Sequence, residues 1–208
     1  MFERPWNIFF KNKINKIILE KSEIVDIGGG LRLDASRNNR LAPANAWISE
    51  AMKARGVSYK VLDYVSTYHP DIIGDVQSLP FLDNSKEAVI CLAVLEHVDN
   101  PIKAAHEMHR VLKPGGYCLI YVPFLYYYHA EKGYYKDCWR FTSDAIRSIF
   151  VQFQHMELQA VRGPLETLIR ISPLGRVKIF QNIAFVCDRM TGKLSSKQTS
   201  GYYVFLQK

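Results

Sequence analysis

A chain of 208 residues is long enough for one domain with its own core and short for two. Hydrophobic residues make up 48%, aromatic residues 12% and charged residues 23%, which excludes a disordered, collagen-like or coiled-coil chain. The net charge of +7 is unevenly placed, with +3 on residues 1–21, −2 on residues 22–161 and +6 on residues 162–208. The basic ends are either a solvated surface or a place for an anionic partner, such as a phosphorylated substrate, a membrane surface or nucleic acid.

No apolar run approaches the roughly 18 residues of a membrane span. Residues 1–16 mix aromatic and basic side chains without the apolar stretch of a secretory signal, and residues 1–21 are expected to form a basic N-terminal helix. Cys91, Cys118, Cys138 and Cys187 are widely spaced with no C-x-x-C pair. Neither a zinc cluster nor a disulfide framework is expected, no metal ligand set is recognisable, and a cytoplasmic location is the default.

In chain order, Glu23–Ile27 is a short apolar run closed by three glycines, the pattern of a buried strand ending in a tight turn. Residues 46–55 have helical spacing and stop at Gly56, and residues 59–63 and 71–75 read as the second and third strands. Residues 88–92 form the fourth strand. A helix over residues 101–112 follows, broken at Lys113-Pro114-Gly115-Gly116, and residues 117–122 form the fifth strand. A short helix is expected near residues 144–150, a strand near 156–161 and a last strand at 202–206. This alternation predicts an α/β domain with a largely parallel sheet and helices on both faces.

Ligands of such sheets bind beyond the C-terminal strand ends. Asp26-Ile27-Gly28-Gly29-Gly30 sits there, but Leu33 breaks a dinucleotide G-x-G-x-x-G, and Arg32-Leu33-Asp34 replaces the G-K-[ST] of a phosphate loop. Asp63 closes the second strand, where a carboxylate can accept from ribose hydroxyls. Asp75, followed by Val76, closes the third, where a carboxylate can accept from the adenine amine. Each has an ordinary alternative as a surface or capping acid. Jointly they describe an adenosine cleft without phosphates.

The residues 26–30 resemble the D-x-G-x-G motif of class I S-adenosylmethionine-dependent methyltransferases of the type 11 kind. Residues 75–81 resemble the D-x-x-x-L-P-F segment of that family, residues 92–98 its L-E-H-V, and residues 107–116 its E-x-x-R-V-L-K-P-G-G. The resemblance spans residues 22–161. It implies a Rossmann-like doubly wound sheet of seven strands, the last antiparallel and beside the fifth, in a single domain over residues 1–208. A cofactor-binding core would fill residues 22–161, a basic apolar insertion 162–200 and the terminal strand 201–208. It also implies S-adenosyl-L-methionine as cofactor, held by Asp26, Gly28, Gly29, Gly30, Asp63, Asp75, Val76, Leu92 and Ala93. Arg32 stands where a further glycine is frequent, and could pair with the cofactor carboxylate or face solvent. His97 is read as structural or as a pocket wall.

After the fifth strand, Asp137, Trp139, Arg140, Phe141 and Thr142 resemble the D-x-W-R-F-T element of a subgroup associated with surface glycans and related small molecules. Here the interval from His129 to Asp137 is longer than in that subgroup. His129 is the candidate general base, its alternative being a hydrogen-bonded loop histidine. Tyr128, Asp137, Trp139 and Arg140 are candidates for acceptor binding. The alternatives are a lid or core cluster for the rings and a loop-anchoring ion pair for Asp137 with Arg140.

The expected activity is methyl transfer to a small molecule, an O-methylation of a sugar or surface-glycan intermediate. An RNA-directed methyltransferase and a cofactor-binding module without turnover are the alternatives. Nucleic acid is disfavoured because Leu92-Ala93-Val94-Leu95 replaces the [DNS]-P-P-[YFW] of amino-methylating enzymes, and the Pro-Cys of cytosine-directed ones is missing too. Residues 165–187 carry an apolar face too broad for one lid helix. It calls for the substrate pocket, another subunit as in a homodimer, an anionic membrane with a lipid-linked acceptor at the inner surface, or the domain's own sheet.

Overall fold

The computed structural model describes residues 3–38 and 41–208. Met1 and Phe2, part of the expected N-terminal helix, lie outside them. The remainder of that segment is helix α1 (Pro5–Glu20), started by a proline in its first turn. There follow β1 (Glu23–Ile27), α2 (Ala46–Arg55), β2 (Ser58–Asp63), β3 (Ile72–Ile73), β4 (Lys86–Leu92), α3 (Pro101–Val111) and β5 (Leu112–Pro123). The chain ends with α4 (Ser143–Ile149), β6 (His155–Ala160), α5 (Pro164–Ile171), α6 (Lys178–Met190) and β7 (Gly201–Gln207).

The seven strands form one sheet in the order β3-β2-β1-β4-β5-β7-β6. β1 pairs in parallel with β2 and β4, and β4 with β5, whereas β7 runs antiparallel to both neighbours, β5 and β6. A strand between two parallel partners is covered on both faces, which is why β1 reads as a nearly unbroken apolar run. Val25, Ile27, Val89, Cys91, Cys118 and Ile120 point to the face covered by α3 and α4. Ile24, Ala88, Ile90, Leu119 and Phe205 point to the opposite face, under α1 and α2. The inner side of α6 joins that second face through Phe185, packed with Trp6 and Val161.

Local signals account for the well-placed boundaries. The Asn100 side chain accepts from the Lys103 amide at 3.0 Å and starts α3, and Gly56, at φ +66°, ends α2. Two boundaries differ from expectation. β3 is only two residues, so Asp75 lies beyond it in a tight turn closed by a bridge to Ser78. β5 begins at Leu112, before the Lys-Pro-Gly-Gly break, because Leu112 pairs with Lys86 before a register shift restores regular pairing at Tyr117. Among the described residues no helix is long and apolar enough to cross a membrane.

Candidate active site

The register of the parallel strands brings their C-terminal ends to one edge: Ile27 lies opposite both Leu62 and Cys91. Gly28, Asp63 and Leu92 are therefore neighbours in space. Gly28 and Gly29 have φ of +76° and +59°, and the Gly28 amide donates to the Leu62 carbonyl at 2.7 Å. A Cβ on Gly30 would lie 2.6 Å from Leu92 Cβ and 2.9 Å from the Leu92 carbonyl oxygen. The turn needs glycine because it presses on the end of β4.

Asp26 is fully buried beneath this turn. Its carboxylate accepts from the amides of Gly30 (3.2 Å) and Leu31 (3.0 Å) and from the Tyr59 hydroxyl (2.6 Å). Burial pushes its pKa up to about 6, against the lowering effect of those donors. Asp26 and Gly29 are expected ligands that do not line the cleft; Asp26 shapes the turn from behind.

The cleft itself has a volume of about 560 Å³ and is walled by Gly28, Gly30, Asp63, Asp75, Val76, Leu92 and Ala93, seven of the nine expected cofactor contacts. That size suits a small organic ligand. Burial raises the pKa of Asp63, whose carboxylate also accepts from the Val65 amide at 3.2 Å. Asp75 accepts from the Gln77 amide at 2.8 Å and from its side-chain nitrogen at 3.2 Å, so part of its capacity is already used. Arg32, also a wall residue, has φ +53°, the conformation that a glycine would adopt freely. Ala93 is at φ +57°, with its amide donating to the Tyr121 carbonyl at 3.0 Å.

The other wall comes from the loop after β5, through residues outside the acceptor-binding candidates named above. Glu131, Tyr134, Tyr135 and Lys136 line the cleft. Glu131 accepts from the hydroxyls of Tyr68 (3.0 Å) and Tyr135 (2.8 Å), tying the loop to the segment after β2. Tyr128, Asp137, Trp139 and Arg140, the expected acceptor contacts, are outside this cleft. Asp137 accepts from two Arg140 nitrogens at 2.6 and 2.7 Å and from the His129 amide at 2.8 Å. Arg140 holds the Asp137 carboxyl well below the usual carboxylate range. Arg140 also donates to the carbonyls of Tyr127 and Trp139, so the pair anchors the loop, the alternative named for it above. The Trp139 indole donates to the Val98 carbonyl at 2.8 Å, while the Tyr128 ring is 75% exposed.

His129 is likewise drawn inward. Its Nδ1 lies 3.1 Å from the Tyr127 carbonyl and 3.2 Å from Asp137, and its Nε2 lies 3.6 Å from Glu96. Glu96 chiefly, with the Tyr127 carbonyl and Asp137, raises the His129 pKa, opposed by partial burial. Both ring nitrogens thus face protein groups. His97, by contrast, is a cleft wall, its ring 4.2 Å from that of Tyr135 and 5.0 Å from that of His129. The L-E-H-V segment carried this signal, since Glu96 and His97 fall just past β4 at the ligand edge.

Comparison with known proteins agrees with this geometry. Residues 43–120 match a family described as a methyltransferase domain. An S-adenosylmethionine-dependent methyltransferase from Archaeoglobus fulgidus superposes over 97% of this chain and 94% of its own, with a TM-score of 0.59 at 13% identity. The chain has the fold of these S-adenosylmethionine-dependent methyltransferases, and its residues 43–120 match a methyltransferase domain. A phosphoethanolamine N-methyltransferase of Haemonchus contortus, solved with S-adenosyl-L-methionine, superposes over 99% of this chain and 53% of its own (TM-score 0.54, 17% identity). The demethylmenaquinone methyltransferase of Renibacterium salmoninarum is 53% identical over 45 residues, 22% of this chain and 19% of that protein. The chain matches less than a third of the length of each curated relative, 8% to 29%.

Proposed function

We propose that this chain binds S-adenosyl-L-methionine in the cleft and methylates a hydroxyl of a small acceptor, a sugar or glycan intermediate being the favoured class. The observation that carries the reading is the meeting of the glycine turn, Asp63, Asp75 and an aromatic, histidine-bearing wall around one cavity. The walls suit the cofactor. Asp63 is a carboxylate for the ribose hydroxyls, Asp75 for the adenine amine, Val76 and Leu92 are apolar surfaces for the base, and Arg32 is a cation for the methionyl carboxylate. When bound, the cofactor supplies a methyl group on a positively charged sulfur, electrophilic without further activation.

The work left to the protein is orientation of the two reactants. The Glu131-tethered tyrosines confine an acceptor against the end of β4, and Glu96, His97 and His129 stand where the acceptor's hydroxyl proton must be managed. His129 serves as a member of that group, its nitrogens turned to Glu96 and the Tyr127 carbonyl, rather than as a free base at the wall.

Calorimetric titration with S-adenosylmethionine tests the reading. Asp63→Ala should weaken binding by roughly 1.5–3 kcal/mol for each charge-assisted bond lost. Asp75→Ala should weaken it less, because Asp75 already serves Gln77. An unchanged dissociation constant in Asp63→Ala sinks the ribose assignment.

A second reading concerns where the acceptor is met. The outer faces of α5 and α6 expose Leu168, Ile171, Ile179, Ile183 and Met190 beside Arg170, Arg176 and Lys178. That combination suits contact with an anionic membrane surface and a lipid-linked or quinone-like acceptor. The demethylmenaquinone methyltransferase match supports the same class of partner.

A further inference from the structure

Glu96 is a buried carboxylate out of hydrogen-bond reach of any donor among the described residues. It is 1% exposed, and neither carboxylate oxygen has a hydrogen-bond partner. Burying a carboxylate without donors costs several kcal/mol, and native proteins seldom leave one so. What surrounds Glu96 is a pair of imidazoles at 3.6 Å (His129 Nε2) and 3.9 Å (His97 Nε2), each too far for a hydrogen bond. Ligand atoms of the three residues all lie within 4.8 Å of one another.

Those separations suit a different bond. Ligands held at about 2.0–2.2 Å from one divalent ion sit about 3.0–3.6 Å apart, so the observed triangle needs only slight closure. The outer shell agrees. His97 Nδ1 is 2.5 Å from the Lys136 carbonyl, and His129 Nδ1 is 3.1 Å from the Tyr127 carbonyl with Asp137 beside it. A carbonyl only accepts, and the carbonyls lie closer to Nδ1 than Glu96 does to Nε2, so a neutral ring keeps its proton on Nδ1 and leaves the Nε2 lone pair toward Glu96. Metal-binding histidines are oriented by this kind of second bond.

We propose that Glu96, His97 and His129 hold a divalent first-row cation at the acceptor end of the cleft. Two imidazoles and one carboxylate are the donor set of catalytic Zn²⁺ sites with an open position, and also accept Mn²⁺ or Co²⁺; an all-oxygen cage for Ca²⁺ is a different chemistry. His97 lies in the cleft wall, so the open side faces the acceptor. There the cation binds the acceptor hydroxyl and lowers its pKa: the O–H bond breaks, its electron pair stays on oxygen, and the proton passes to solvent water. This role rests on the methyl-transfer reading above; the ion site itself does not. The sequence showed no ligand spacing because Glu96 and His97 are adjacent while His129 arrives from the loop after β5.

Co²⁺ is the probe, added to chelator-treated protein and followed by its visible absorption and by calorimetry. One ion per chain should bind, and Glu96→Gln and His129→Ala should each weaken it at least tenfold with the far-ultraviolet spectrum unchanged. Should Glu96→Gln fail to fold, His97→Ala serves in its place. No saturable Co²⁺ binding, or binding indifferent to these substitutions, overturns the site. S-adenosylmethionine titrated into the same samples separates the two readings: a chain that binds Co²⁺ but not the cofactor keeps the ion site and loses the methyltransferase role.

Discussion

Asp26 never meets the cleft, yet the shape of the cleft depends on it. Its two oxygens hold the amides of Gly30 and Leu31, and through them the path of the glycine turn over β4. The site is dry enough that burial raises the pKa from 3.8 to about 6. Between those values the folded chain holds a proton that the unfolded chain has released. The associated stability is therefore fully present below pH 3.8 and is lost as pH rises through about 6. A rise of this size is on the order of 3 kcal/mol. Urea unfolding of wild type and Asp26→Asn at a series of pH values should show the stability difference falling by about that amount across the window. A difference that stays flat would mean that the folded and unfolded chains bind equal numbers of protons, so that burial does not raise the Asp26 pKa. The same residue explains why D-x-G-x-G is recognisable in a sequence: its acid serves the backbone, whose needs are local.

At the level of elements, the C-terminal helices are joined by a cap that α6 supplies to α5. Asp188, on α6, accepts from the amides of Leu165 (3.0 Å) and Glu166 (2.9 Å), the first turn of α5. Gly163 leaves room for it, since a Cβ there would lie 2.5 Å from the Asp188 carboxyl carbon. Asp188→Ala should lower stability by about 1–2 kcal/mol, as loss of an N-terminal cap does, and strip hydrogen-exchange protection from the start of α5 before the sheet is affected. Equal loss of protection throughout would show that α5 has no separate stability. Such a cap is illegible in one sequence because its partners are far apart in the chain. The strands β1, β2, β4 and β5 and the helices α2 and α3 were legible because their apolar period and stop residues lie within each segment. The loop after β5 falls between these cases. His129, Asp137 and Arg140 could be picked out by chemistry, but Glu96 and the inward pull of Arg140 decide where they point, which left Glu131, Tyr134 and Tyr135 to face the cleft.

Taken whole, the molecule gathers its two basic ends. Arg4, before α1, pairs with Glu166 on α5 at 2.5 Å, and Trp6 meets Phe185 of α6 edge-on with ring centres 5.9 Å apart. The segments carrying +3 and +6 thus meet, although α1 also covers the sheet and β7 lies within it. The inner side of α6 is spent on this packing, which answers part of the expectation that residues 165–187 cover the domain's own sheet. The outer side is not: Ile179 is 59% exposed and Ile183 53%. An apolar row flanked by cations is drawn to an anionic bilayer by both terms at once, and each basic residue near such a surface adds ~1 kcal/mol. The chain should therefore float with phosphatidylglycerol-containing vesicles at low salt, bind neutral vesicles less, and be released as ionic strength rises. Ile179→Glu with Ile183→Glu should abolish flotation without lowering the melting temperature, because both side chains are on the solvent side. If the unaltered chain stays in the pellet at low salt, the membrane reading fails; light scattering that then reports a dimer for the unaltered chain and a monomer for the double variant would give the face to a second copy of this chain.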